Sequence, residues 1–220
     1  MSILIYAESA EGKFKKVAFE LASYAKKLAE TLNTTVTALT INASDVSELS
    51  KYGVDKVLKV NNDQLKNFSA KAYADVLKQA AQKEDQKVIV LSSTTDSLYL
   101  APLLAVSLQA GYASNVIGLP VSTSPFEVKR SAFSNKAFVM TDITTDVKVL
   151  ALAKNSYGIV ESASTMTEED FSPSIGENDF GVKTESVDRA TGKVTIADAD
   201  VVVSAGRGMK GPENWGMIED

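Results

Sequence analysis

The chain has 220 residues, 45% of them hydrophobic, with 28 acidic against 23 basic side chains and a formal net charge of −5. That length suits one large core, or one domain and a piece of another, and the acidic balance without any Lys/Arg block argues against nucleic acid as a partner. Cysteine and histidine are both absent, which excludes disulfides, thiolate metal sites, thiol catalysis, the Ser-His-Asp triad and imidazole-ligated zinc. The N-terminus opens on a strand-like run with no basic-then-apolar signal, and no apolar stretch reaches membrane length. A cytoplasmic protein without direct membrane insertion is the expectation.

Residues 3–7 read as a strand, and residues 13–32 as a helix with Phe14, Val17, Ala18, Leu21, Ala25, Leu28, Ala29 and Leu32 on one stripe. Strands follow at 36–41 and 57–60, then a second amphipathic helix marked by Phe68, Ala72, Val76, Leu77 and Ala80. Residues 88–91 form the next buried-type strand. The hydroxyls and carboxylate of Ser92, Ser93, Thr94, Thr95 and Asp96 suit a helix cap, and residues 100–109 read as helix, with Pro102 near its start or at a kink. Strands alternating with helices imply a doubly wound, mainly parallel α/β sheet. After Gly111 the pattern changes to apolar runs at 116–120, 126–133, 137–141 and 147–151 between polar turns. These read as consecutive antiparallel strands extending the sheet at one edge. Residues 162–181, rich in Ser, Thr, Glu, Asp, Pro and Gly, read as a solvated linker or excursion, and a domain boundary belongs near them. The runs at 182–187 and 194–196 are too short for a core, and a new unit starts at about Ala199.

That unit opens with Val201, Val202 and Val203, then Ser204, Ala205, Gly206, Arg207 and Gly208. Read as a buried strand running into a glycine-flanked arginine, it has the layout of a phosphate-binding turn. The glycines admit backbone amides close to an anion, and the guanidinium grips a phosphate bidentately. Pro212 and Glu213 suit a helix start with Trp215, Met217 and Ile218 on its apolar side. An ordinary strand-turn-helix with a solvated arginine explains the same residues. The hydroxyls at 92–95 lie beyond a central strand, where open α/β sheets bind ligands, yet helix capping accounts for them. The acids Glu168, Glu169 and Asp170 read as a solvated run, Trp215 as core, and Arg130 as a solvent-facing strand residue.

Together these residues resemble the α subunit of electron transfer flavoprotein, from the first strand to the last residue. Residues 201–215 are similar to that family's strand, Gly-Arg-Gly turn and Glu-Asn-aromatic helix opening. Residues 100–105 (Leu-Ala-Pro-Leu-Leu-Ala) resemble its Leu-Ala-Pro helix, and residues 126–140 its strand pair around a small-residue-Asn turn, here Ser134 and Asn135. The chain departs from the family where Ser97 and Leu98 replace a common Gly-Arg. The resemblance implies an adenine-nucleotide-hydrolase-like α/β domain over residues 1–185 that docks the β subunit. It implies a linker at 186–198 and the truncated start of a Rossmann-like FAD-binding domain at 199–220, the family continuing for roughly another hundred residues, a small domain by size. It further implies an FAD-containing αβ heterodimer, an electron carrier rather than a bond-making enzyme, serving fatty acid β-oxidation. Electrons would pass from acyl-CoA and related dehydrogenases to a quinone oxidoreductase. Arg207, Gly206, Gly208 and Ser204 are the carried-over FAD contacts, and this chain alone should hold FAD weakly or not at all. The competing reading is a stand-alone nucleotide-binding α/β module of the universal-stress or adenine-nucleotide type, with its ligand at residues 92–96; a plain interaction scaffold is the third.

Overall fold

The structure is a computed structural model that describes residues 2–182, 184–187, 196, 199 and 201–219. Contacts divide the chain into two compact units, residues 1–183 and 184–220. The first unit begins with β1 (Ser2–Tyr6), a two-residue hairpin of β2 (Ser9–Ala10) and β3 (Lys13–Phe14), and α1 (Lys16–Leu32). Strand β4 (Val36–Ile41), a 3-10 turn at Ser47–Tyr52, β5 (Lys56–Val60), α2 (Ala70–Lys83) and β6 (Gln86–Ser92) follow. Then come α3 (Thr95–Leu108), β7 (Gly111–Val116), the short β8 (Ser122–Thr123), β9 (Phe126–Ala132), β10 (Ala137–Ile143), β11 (Lys148–Leu152) and β12 (Thr167–Asp170).

One sheet joins them in the order β10-β9-β7-β11-β6-β1-β4-β5-β12, with β8 against β9. From β7 to β12 neighbours run parallel; β9 and β10 are antiparallel at one edge. The central strands are apolar on both faces because helices cover both. On one face Ile3, Ile5, Val36, Ala38, Val88 and Val90 pack against Leu21, Tyr24, Ala25 and Leu28 of α1. On the other, Leu4, Leu39, Leu58, Ile89 and Val149 meet Val76, Leu77 and Ala80 of α2 and Leu100 and Leu104 of α3. Asn33 closes α1 in the left-handed conformation (φ 50°), its backbone N–H returning to Ala29 and Glu30 carbonyls. Pro102 sits mid-helix in α3, so the Leu98 carbonyl loses its ordinary i+4 donor.

Two expectations about the sheet are corrected. Residues 147–151 do not extend an antiparallel edge: β11 lies inside the sheet, parallel to both β6 and β7, and β7 itself belongs to the parallel part. Val149, Leu150, Ala151 and Leu152 are buried, and a strand apolar on both sides has no stable place at an edge. Residues 162–181 are not a solvated linker, for β12 adds to β5 in parallel register. Phe171, Ile175 and Phe180 pack against the α2–α3 side of the core. The acidic run is what attaches it: Glu168 pairs with Lys59 at 3.0 Å, and Glu169 with Lys56 at 2.8 Å and with Lys83.

In the second unit, Val201, Val202 and Val203 are 80%, 50% and 67% exposed and form no strand ladder. A lone apolar run without neighbouring strands has no partner for its backbone groups or its two faces. Single 3-10 turns at Arg207–Met209 and Pro212–Asn214 and a short helix α4 (Gly216–Glu219) follow. Trp215 remains 38% exposed rather than core, and the Met217 side chain lies outside the described residues. So does most of the expected linker at 186–198, including the run at 194–195.

Candidate functional site

The carboxyl end of the central strands is where an open α/β sheet receives a ligand, and here the chain fills it with its own carboxylate. Glu8, two residues past β1, is buried; its Oε1 accepts the Thr94 hydroxyl at 2.7 Å and its Oε2 the Lys15 ammonium at 3.0 Å. Thr94 is the N-cap of α3 and also accepts the Ser97 backbone N–H at 3.3 Å. The Ser92 and Ser93 hydroxyls donate to the Val17 and Ala151 carbonyls at 3.4 and 3.2 Å. These hydroxyls thus cap and brace the sheet end. Burial first, then Tyr73, Glu8 and Asp96, raise the Tyr6 phenol well above its ordinary pKa; burial, then Asp96 and Glu8, pushes Tyr73 up to about 12. An acidic, internally bonded strand end repels a phosphate, which weighs against a nucleotide at residues 92–96.

A second carboxylate does structural work that periodicity conceals. Glu20 lies on the buried side of α1, where it accepts backbone N–H groups from Asn155 (2.9 Å), Tyr157 (2.9 Å) and Gly158 (3.0 Å). Beside it the Val160 N–H donates to the Ser23 hydroxyl oxygen at 3.0 Å. Together they tie down the loop after β11. A glutamate among apolar helix positions is the only sequence sign of it.

Arg207, Gly206, Gly208 and Ser204 do fall together, on one turn and its approach, all exposed. Gly206 is extended (φ −96°, ψ −175°), and Arg207–Met209 make one 3-10 turn closed by the Met209 N–H on the Gly206 carbonyl at 3.0 Å. Lys210 adopts φ 63°, and the Asn214 amide donates to the Met209 carbonyl at 2.7 Å, holding the turn against the next one. Apart from immediate chain neighbours, no heavy atom of the described residues lies within 4 Å of where a Cβ would stand on Gly206 or Gly208. The backbone there is open to a close-approaching group, and the first N–H groups of a turn have no partner within it. Arg207 and Lys210, both exposed, bring two cations to this turn. That donor set fits a pyrophosphate; among the described residues of this unit nothing flat and buried adds a wall for a ring system. Arg130, expected at solvent, is instead half-buried, with its Nε buried and unpartnered among the described residues. No group of carboxylates there has the arrangement of a metal site, and no helix is long and apolar enough to cross a membrane.

The electron transfer flavoprotein domain family matches residues 3–174, the whole sheet and both of its helical layers. The chain belongs to the electron transfer flavoprotein family. It is similar to the electron transfer flavoprotein subunit alpha of Thermoanaerobacterium thermosaccharolyticum, 29% identical over 99% of this chain and 68% of that protein. The subunit alpha of Syntrophomonas wolfei is 26% identical over 98% of this chain and 68% of its own length, and that of Bacillus subtilis 24% over 99% and 68%. Membership makes the chain an α-type electron-carrier subunit and disfavours the stand-alone nucleotide module, in line with the closed strand end at Glu8.

Proposed function

We propose that this chain is the α-type partner of an FAD-containing heterodimer and that its first unit is the scaffold on which a β-type subunit docks. The observation that carries the reading is the likeness to α subunits over nearly the whole chain. FAD, when bound, supplies the redox chemistry, so the protein need only bind, orient and tune it; a chain without histidine or cysteine suffices for that. Arg207 neutralises pyrophosphate charge, the Gly206 and Gly208 backbone lets the phosphates approach, and Ser204 offers a hydroxyl at the entry. The electron donors are acyl-CoA and related dehydrogenases and the acceptor a quinone oxidoreductase, a route serving fatty acid β-oxidation without bond-making at this subunit. Co-expression with a β-type subunit from the same organism tests this. A yellow complex with flavin absorbance supports it. A chain that stays alone and colourless, yet binds ATP or AMP tightly until residues 92–96 are changed, replaces it with the nucleotide-module reading.

A further inference from the structure

Among residues 161–181 only one side chain is buried, and it is a carboxylate, Asp179; Met166, Phe171, Ile175 and Phe180 are half-buried. Strand β12 is also the last in the sheet order, so one of its edges has no ladder. Few buried apolar contacts and an open edge mark the parts of a protein that open locally rather than with the whole domain.

Charge and a few backbone bonds hold the segment in place. Strand β12 lies on β5 in parallel register, extended by the Thr167 N–H on the Asp55 carbonyl at 3.0 Å and the Phe171 N–H on the Lys59 carbonyl at 2.8 Å. Side chains alternate along a strand, so Glu169, opposite Leu58, faces the α2 side and Glu168, opposite Val57, the α1 side. Cations meet both faces. Lys56 and Lys83 take Glu169, while Lys59 takes Glu168 at 3.0 Å and Asp170 at 3.6 Å. Beyond β12 the Gln79 side-chain amide exchanges hydrogen bonds with the Ser174 backbone at 2.7 and 2.8 Å. Lys71 then pairs with Asp179, whose other oxygen accepts the Gly176 N–H at 2.8 Å. All of these lysines belong to β5 or α2, and all of these acids to the segment.

The two sides depend on each other unequally. With the segment away, Lys56 keeps Glu84 at 2.8 Å and Lys71 keeps Asp75 at 3.3 Å. Lys59 and Lys83 lose every carboxylate they have among the described residues, and the consecutive acids Glu168, Glu169 and Asp170 are left to repel one another. The Glu168 and Glu169 side chains are 43% and 39% exposed, so dissolved salt reaches these pairs and screens them. Exposed pairs contribute about twofold each to an equilibrium constant, so the pairs made by Glu168, Glu169 and Asp179 with Lys59, Lys56, Lys83 and Lys71 multiply to roughly tenfold or more.

We propose that residues 167–181 are an ionic clasp, a strap that opens and closes as one unit apart from the sheet, with ionic strength setting its open fraction. The first unit thereby holds or releases the stretch of chain that leads to the second. The test is amide hydrogen exchange of the 220-residue chain in sodium chloride at about 0.05 M and about 1 M, between which the screening length falls from above ~10 Å to ~3 Å. Expected is exchange over 167–181 about fivefold or more faster at high salt, with β1, β4 and β6 unchanged. Glu168→Gln combined with Glu169→Gln should bring the faster exchange to low salt and lose most of the salt response. Lys27→Gln, which removes an exposed ion pair with Glu30 on α1, should behave as the parent. These side chains lie at the surface, and the parent's own salt series needs no variant to fold. Exchange over 167–181 that salt leaves unchanged overturns the clasp. So does a segment that exchanges as slowly as β1 and β6 at both salts, for it then opens only with the whole domain. Equal acceleration of segment and sheet is general destabilisation and overturns it as well.

Discussion

Replacing Glu20 by alanine removes the acceptor of three loop N–H groups at 2.9–3.0 Å and leaves α1 otherwise intact. Hydrogen bonds to a charged group contribute about 1.5–3 kcal/mol each. The loop is only half-buried, as Asn155 and Gly158 are exposed, so water recovers part of that and the low end applies. Alanine returns a few tenths of a kcal/mol of helix propensity. The net loss should be about 4 kcal/mol. Glu20→Gln keeps one amide oxygen to accept the Tyr157 and Gly158 N–H groups but sets an NH₂ against that of Asn155, so it should cost about 1–2 kcal/mol. Urea unfolding gives both values, and amide exchange should quicken at 155–160 before anywhere in the sheet. A loss below about 0.5 kcal/mol in Glu20→Ala, with exchange at 155–160 unchanged, would refute the idea that this carboxylate organises the loop.

Three further outcomes follow from the same structure. Lys56 and Lys83 hold the Glu169 carboxyl down at about 2 against its ordinary 4.5. Its folded value is depressed, so its contribution is complete above about pH 4.5 and disappears as pH falls through about 2; exchange in β12 should quicken over that window, and a β12 insensitive to pH there contradicts the ion-pair account. Tyr73 should titrate near 12 in the folded protein, with its contribution to stability intact below the ordinary phenol value of 10 and lost as pH rises through about 12; absorbance at alkaline pH reads this, and ordinary titration near 10 speaks against its burial. Val149→Lys should abolish folding, because β11 is central and Val149 fully buried, whereas a protein that tolerates it in urea unfolding has β11 at an edge.

The architecture was legible wherever burial was one-sided or continuous. Period 3.6 marked α1 and α2, and unbroken apolar runs at 3–5 and 88–91 marked β1 and β6, since a covered parallel strand leaves no polar face. Two elements escaped for opposite reasons. Strand β11 read as part of a meander because it follows the antiparallel β9–β10 pair in sequence, and nothing in residues 148–152 says that the chain returns to the middle of the sheet. Strand β12 was hidden because its attachment is electrostatic: Glu168, Glu169 and Asp170 look like a solvated run until Lys56, Lys59 and Lys83 are brought opposite them. The capping role of Thr94 was readable from residue type, but its bond to Glu8 joins positions 86 residues apart and has no local signal. The glycines around Arg207 were found from the apolar run that leads into them and the arginine between them; what they reach lies in chemistry that spacing suggests and local structure only permits.

The central claim, an α-type flavoprotein subunit whose Arg207 turn holds FAD, is met most directly by the FAD dissociation constant of the complex with its β-type subunit, compared between parent and Arg207→Gln. Losing a bidentate, charge-assisted phosphate contact is worth about 1.5–3 kcal/mol, or roughly 10- to 150-fold in affinity. The account predicts a weakening in that range with the heterodimer still assembled. An Arg207→Gln complex that holds FAD as tightly as the parent would contradict it.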